Sequence, residues 1–330
     1  MQKKQRVLLY FLIINISYFW AIGHAQNSIN NSKNNLAYSD QASSAYISGL
    51  NYLGGRGVAV DKQKAMIFLT QAAEYGIAKA QYMVGTAYLH GDGVVQSNQT
   101  AIYWIEKAAL QNDSEAQYAM GVAYALGHGV EKNQSKAVYW YEKAAEQNDD
   151  LAQFNLALMY QHGQGVTQND AIAVQWLEKS AAQGLADAQF NLGIIYSNGS
   201  VVTKDEEKAS QLFEKAAVQG LAEAQFNLSI AYMKGSGVPQ NLSLAMQWLK
   251  RSAEQGCVNA QILLAGQYST GTHIKQDPSL ARQWLEKAAE KGNPDAQAYL
   301  AQMYEQGYGG SKDPIKAQYW RNQFNQKPFS

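Results

Sequence analysis

The chain has a single cysteine, Cys257, among its 330 residues. One thiol cannot form an internal disulfide, so the fold has to be stable without one. Neither a histidine nor an acidic residue adjoins Cys257 in sequence to activate its thiolate. We therefore interpret it as a small turn or core residue and not as a nucleophile.

Charge is also scarce. Only 16% of the residues are charged, 27 Lys and Arg balance 27 Asp and Glu, and 46% are hydrophobic. Such a composition is typical of a globular protein and not of a disordered one. With no basic field to attract phosphates, binding to nucleic acid or to anionic lipid is excluded as a main function.

No apolar run is long enough to span a bilayer. The longest, residues 7–22, has 16 residues, whereas a spanning helix needs about 20. It follows the basic stretch Met1–Arg6 and precedes the small residues Gly23 and Ala25. These three parts predict a secretory signal peptide over residues 1–25, with an uncleaved anchor as the alternative. Residues 26–43, which begin with an Asn/Ser-rich stretch, are predicted to be a flexible lead-in.

What the sequence has instead is an internal repeat of 36 residues. AQYMVGTAYLHGDGV at 80–94 returns as AQYAMGVAYALGHGV at 116–130 and as AQFNLALMYQHGQGV at 152–166. A repeat of this length predicts a solenoid in place of the two domains that chain length alone suggests. The eight predicted repeats are 44–79, 80–115, 116–151, 152–187, 188–223, 224–259, 260–295 and 296–330.

Each repeat predicts two helices. In the first helix, Ala80, Val84 and Tyr88 share one face, and a glycine column ends the helix. The second helix starts at a column of Asp, Asn or Ser, whose side chains cap free backbone amides. The glycine column is Gly55, Gly91, Gly127, Gly163, Gly199, Gly235, Gly271 and Gly307, and the capping column is Asp61, Ser97, Asn133, Asn169, Asp205, Asn241, Asp277 and Asp313. The predicted fold is all-α: a right-handed α-solenoid of eight 36-residue helix-hairpin repeats.

The columns A-Q-[YF]-x-L-G-x-x-Y-x-x-G-x-G-V and D/N-x-x-x-A-x-x-W-x-x-x-A-A-x-x-G resemble the Sel-1-like repeat family, relatives of tetratricopeptide repeats. The resemblance covers roughly residues 43–330. It implies an α-solenoid adaptor; exported bacterial members serve envelope assemblies, secretion systems, polysaccharide export or host contact. One cysteine-rich branch has a disulfide in each repeat and is associated with β-lactam binding or hydrolysis, but this chain has no cysteine pairs.

No catalytic or metal-binding pattern is identifiable in the sequence. His90 and His162 occupy the same column two repeats apart, which places them about 20 Å apart if packed hairpins advance about 10 Å each. Ligands of one zinc ion must all lie within about 2 Å of it. No Ser-His-Asp or paired-carboxylate arrangement is evident. We therefore predict a non-enzymatic protein with no metal and no cofactor.

The candidate site is the variable stripe of the first helices, at residues 79, 83, 86 and 90 and their equivalents. Its middle holds Asn155, Asn191 and Asn227. Asparagine is a poor helix former, but its carboxamide both donates and accepts hydrogen bonds, which suits an extended peptide backbone. Alternatively, these residues bond to neighbouring helices and hold the stack together. The predicted partner-binding residues are Asn155, Asn191, Asn227, Asp187, Glu223, His162, Asn198 and Lys234.

The predicted function is an exported protein–protein interaction scaffold in the bacterial periplasm. Its concave groove would bind a segment of another protein, neutral or mildly basic, in the assembly or regulation of an envelope or secretion machine. The chain would not insert into the membrane once the signal is cut. One alternative is a small-molecule binder or weak enzyme acting on β-lactam or peptidoglycan fragments. Another is secretion beyond the outer membrane to contact host proteins.

Overall fold

The computed structural model describes residues 38–325, which form sixteen helices and no strand. The predicted signal peptide, 1–25, and residues 26–37 of the predicted lead-in lie outside the described residues. The first helix, α1 (Tyr38–Gly54), includes residues 38–43, which the sequence assigned to the lead-in. The reason is packing: Ala42, Ala45 and Tyr46 recur at helical spacing and are all buried.

The helices belong to two compact units that meet in sequence between Asn169 and Asp170. Within each unit, a helix packs mainly on the helices before and after it. The first unit contains α1, α2 (Lys62–Glu74), α3 (Ala78–His90), α4 (Asn98–Leu110), α5 (Ser114–Leu126), α6 (Gln134–Glu146) and α7 (Asp150–His162). The second unit contains α8 (Asp170–Ala182), α9 (Ala186–Asn198), α10 (Glu206–Val218), α11 (Ala222–Lys234), α12 (Leu242–Glu254), α13 (Val258–Thr270), α14 (Pro278–Glu290), α15 (Pro294–Gln306) and α16 (Pro314–Asn325). Odd numbers are first helices of a repeat and even numbers are second helices.

The predicted helix ends are confirmed by their geometry. Gly91 closes α3 in the left-handed region at φ 73°, and its N–H donates to the carbonyl of Ala87. The Asp61 side chain accepts from the N–H of Lys64 at 3.0 Å and so caps α2. Asn112 and Asn148 also adopt positive φ, just past α4 and α6. They stand where other repeats use glycine, which explains why both residue types occur in that column.

Close approach within each hairpin depends on small residues. A Cβ at Gly85 would lie 2.5 Å from Ile105, and one at Gly193 would lie 2.8 Å from Phe213. Neither contact is sterically possible, so these glycines let α3 pack on α4 and α9 on α10. Alanine columns act in the same way, since Ala101 and Ala137 are fully buried.

A ladder of buried glutamines ties successive repeats together. Gln117 of α5 donates from Nε2 to the carbonyl of Ala109 at 3.1 Å, and its Oε1 accepts from Gln147 at 2.7 Å. The same pair of bonds recurs at Gln81, Gln189 and Gln225. Each buried carboxamide is thereby satisfied, which avoids the cost of burying an unpaired polar group. None of the described helices combines the length and apolar character that a membrane crossing requires.

Candidate binding surface on the first helices

The three predicted asparagines lie half-buried on α7, α9 and α11. Asn155 belongs to the first unit, and Asn191 and Asn227 belong to the second. Each donates from Nδ2 to the carbonyl four residues earlier in its own helix, at 2.8–2.9 Å. This bond offsets part of the poor helix propensity of asparagine. In the described part of the chain, the side chains of Asn191 and Asn227 make no hydrogen bond to another helix.

Asn155 differs from the other two. Burial raises the pKa of the Tyr118 hydroxyl, and a side-chain hydrogen bond with Asn155 lowers it. Tyr118 belongs to α5, so this bond joins two successive repeats. For Asn227, the residue of the preceding repeat that corresponds to Tyr118 is Phe190, which has no hydroxyl. The interpretation that the asparagines hold the stack together therefore applies to Asn155, while Asn191 and Asn227 remain available for a ligand.

Asn227 and Lys234 line the same cleft. It has a volume of about 210 Å³ and lies between α9, α10 and α11, with Ser197, Glu206 and Phe213 on its other sides. The cleft is lined by polar side chains, by the opposite charges of Glu206 and Lys234, and by the apolar ring of Phe213. Such a cleft can hydrogen-bond a peptide group and cover an apolar side chain.

The other predicted residues lie at the ends of their helices. Asp187 and Glu223 are in the first turns of α9 and α11, where a carboxylate interacts favourably with the helix dipole. His162 and Asn198 are exposed in the last turns of α7 and α9. Residues eleven apart in a helix are separated by about 16 Å, so Asp187 and Asn198 bracket a surface that runs nearly the whole length of α9.

Four acids at helix starts of the first unit, Asp113, Glu115, Asp149 and Asp150, are half-buried. Lys79 lies 2.9 Å from Glu115 and 3.6 Å from Asp113. The pKa of Asp149 is raised to about 7: burial is the main cause, the hydrogen bond from the N–H of Ala152 opposes the rise, and the charges of Asp150 and Glu115 add to it. These carboxyls stabilise the starts of their helices and neutralise Lys79. The net negative charge of the stripe is therefore not concentrated in the first unit.

A larger pocket in the second unit was missed by the sequence analysis. It has a volume of about 460 Å³ and lies between α13, α14 and α15. It occupies the position of the Asn227 cleft two repeats further on, with Tyr299 in place of Asn227. The signal was Gly266, a glycine inside the stripe where earlier repeats carry Val122, Leu158, Ile194 and Ile230.

Within the described residues, no three or more His, Cys, Asp or Glu side chains cluster as metal ligands would. The stripe and its two clefts therefore present hydrogen-bonding groups, apolar surface and a few single charges. This is the chemistry of a binding surface.

The family comparison agrees with this geometry. The Sel1 repeat model matches eight segments: 42–76, 78–113, 114–149, 150–185, 186–221, 222–257, 258–293 and 294–320. The chain belongs to the Sel1 repeat family. Each Sel1 repeat after the first begins two residues before the predicted boundary, at the start of a first helix. The prediction of an all-α chain of eight helix-hairpin repeats is confirmed, and repeats of this kind indicate an α-solenoid.

Solved structures similar to this Sel1 repeat protein include the following two. One is a protective antigen present in uropathogenic Escherichia coli strains that displays an SLR fold. It has 32% identity and a TM-score of 0.77, and the match covers 88% of this chain and 64% of that one. The other is a Sel1 repeat protein from Oxalobacter formigenes, with 30% identity, a TM-score of 0.69 and coverage of 96% and 89%. The chain thus spans less than two thirds of the first structure. No curated protein matches it.

Sel1 repeats generally mediate protein–protein interactions, and scaffolds of this family are typically non-catalytic. In this Sel1 repeat protein, the stripe of first helices is the candidate surface for such contacts. It has half-buried polar groups in the middle and exposed ones at the ends.

Proposed function

We propose that this Sel1 repeat protein is an exported, non-enzymatic scaffold of the bacterial cell envelope. It works in the periplasm and holds a segment of another protein on the stripe of first helices. A rigid surface that already presents spaced polar groups avoids part of the ordering cost of binding, because its own side chains need little rearrangement.

One observation carries the binding proposal: Asn227 and Lys234 line a common cleft, and the Asn227 carboxamide bonds only within its own helix. A carboxamide anchored through one N–H keeps its oxygen for a ligand donor. An extended segment in this cleft would offer backbone N–H groups to Asn227 and, by repetition, to Asn191 one repeat earlier.

Two observations support export. Residues 1–25 have the three parts of a signal peptide, and removing them leaves 24 Lys and Arg against 27 Asp and Glu, a net charge of −3. The similarity to a protective antigen also favours export. A signal peptide alone delivers the chain to the periplasm, which is the location we propose.

Binding is tested with a double variant, Asn191→Ala with Asn227→Ala, in the bacterium that produces the chain. We expect a partner to co-purify with the wild type and with the control Gln247→Ala, but not with the double variant. Gln247 is a suitable control because it is exposed on α12, a second helix. Equal recovery of the same proteins with all three chains would contradict the proposal.

Export is tested by cell fractionation with intact-mass analysis. We expect the chain in the periplasmic fraction, starting at Gln26. An uncut chain confined to the cytoplasm would contradict the proposed location without bearing on the binding surface.

A further inference from the structure

Gly266 lies inside α13, and packing does not require it. A Cβ at this position would meet nothing within 4 Å, and its φ is not in the left-handed region. At Gly193, one of the hairpin glycines, a Cβ would collide with Phe213. Because glycine weakens a helix interior, a glycine with neither a steric nor a conformational reason suggests that the missing side chain itself matters.

The missing side chain opens the 460 Å³ pocket. Gly266 is in its lining, at the column where Ile194 and Ile230 fill space in earlier repeats. The equivalent cleft two repeats earlier has less than half the volume, about 210 Å³. A pocket of about 300–1,000 Å³ is the usual size of a small-molecule site.

The lining is apolar, aromatic and uncharged. Ile262, Leu285 and Met303 provide apolar surface, and Tyr299 and Tyr308 provide rings. Tyr308 is fixed in place because its hydroxyl donates to the carbonyl of Ser269 at 2.8 Å. Tyr299 is 58% exposed and, within the described residues, has no hydrogen-bond partner.

The polar groups of the pocket are neutral amides and hydroxyls. Gln302 and Gln306 lie one turn apart on α15, and Ser269 and Thr270 end α13. No lining residue carries a charge that could compensate a buried ion. A charged ligand would therefore lose its hydration without gaining a counter-ion, whereas a neutral ring gains stacking and apolar contact.

We propose that this pocket binds a small, uncharged aromatic molecule. The rings of Tyr299 and Tyr308 contact the ligand ring, the Met303 thioether packs against it, and the carboxamides of Gln302 and Gln306 bond a neutral polar substituent. This site is separate from the stripe asparagines Asn191 and Asn227, and it does not depend on a protein partner.

The proposal is tested with the neutral fluorescent probe N-phenyl-1-naphthylamine, titrated into the purified chain. We expect saturable fluorescence enhancement in the wild type. Gly266→Ile restores the residue of earlier repeats and should weaken probe binding by roughly tenfold or more while leaving the melting temperature equal or higher. Adding an isoleucine to the surface would not weaken non-specific adsorption, so the direction of the change identifies the pocket.

Two further arms make the result decisive. Tyr299→Ala should also weaken the probe, whereas Leu110→Ala, which removes an exposed apolar side chain of the first unit, should not. Naphthalene-2-methanol should displace the probe far better than 2-naphthoate, naphthalene-2-methylammonium or the anion benzylpenicillin. Probe binding that is unchanged in both Gly266→Ile and Tyr299→Ala would overturn the proposal, as would equal displacement by the charged competitors.

Discussion

Gln147 donates a hydrogen bond to the buried Oε1 of Gln117 across 2.7 Å and so joins the end of the second helix of a repeat to its first helix. In the second unit, the repeat that contains Gln261 lacks this bond. Gln261 is buried, its Oε1 has no partner, and the donor position thirty residues later is Lys291. The ladder therefore explains both why the glutamine column exists and where it is incomplete.

Restoring the ladder should stabilise the chain. Lys291→Gln gives Gln261 the donor that other repeats have, and we expect the free energy of unfolding to rise by about 1 kcal/mol. Conversely, Gln147→Ala leaves the buried Oε1 of Gln117 without its hydrogen-bond donor. It should lower the free energy of unfolding by about 1–3 kcal/mol. Urea unfolding of both variants measures the two effects. If Lys291→Gln lowered the free energy of unfolding, the bonds between paired glutamines would not stabilise the repeats.

Asp149 should make the first unit less stable as pH rises. Its pKa is about 7 in the folded chain and 3.8 for an unperturbed carboxyl, so folding favours the protonated form. Its stabilising contribution is fully present below about pH 4 and is lost as pH rises to about 7. The size of the effect has an upper limit of about 4 kcal/mol.

The test is Asp149→Asn, which keeps the helix cap and removes the charge. Asparagine caps α15 at the same column, where Asn293 accepts from the N–H of Ala296 at 2.9 Å. We expect the variant to match the wild type near pH 4 and to exceed it in melting temperature at pH 8. A difference that stays constant across this pH range would show that Asp149 ionises normally in the folded chain.

The three stripe asparagines should differ in their effect on stability. Asn155→Ala removes the bond to Tyr118 and should cost about 1 kcal/mol. Asn191→Ala and Asn227→Ala lose only a bond within their own helix and gain helix propensity, so each should change stability by less than about 0.5 kcal/mol. Thermal unfolding of the single variants decides this. Equal losses at all three positions would mean that all three hold the stack together.

Glycines inside first helices should separate into two classes. Gly193→Ala puts a methyl group 2.8 Å from Phe213 and should destabilise by about 1–3 kcal/mol. Gly266→Ala meets open space and should stabilise by about 0.5–1 kcal/mol. Denaturant midpoints of the two variants provide the comparison, and shifts of the same sign would contradict the packing argument.

Local chemistry explains what the sequence could predict. Left-handed glycines such as Gly91 and caps such as Asp61 act within a few residues of their own position. The ends of both helices of a hairpin can therefore be predicted from single columns of the repeat. The start of α1 at Tyr38 was not predicted, because polar residues around Ala42, Ala45 and Tyr46 obscured their helical apolar pattern. All three are buried in the structure.

The rest depends on contacts between repeats. Gln117 donates to the carbonyl of Ala109 in the preceding repeat, and the Gly266 pocket exists only because α14 and α15 form its other sides. The asparagine column was identified, but the difference between Asn155 and Asn227 comes from the preceding repeat, where Tyr118 has a hydroxyl and Phe190 has none. A single column carries no information about that neighbour.

The central claim is that the first-helix stripe binds another protein, and site-specific photocrosslinking in living cells tests it most directly. A photoreactive residue is placed at position 227 on α11, in the cleft, or at position 247 on α12 as the control. The account predicts a discrete protein adduct from position 227 that is absent from position 247. No adduct at 227, or the same adduct from both positions, would contradict it.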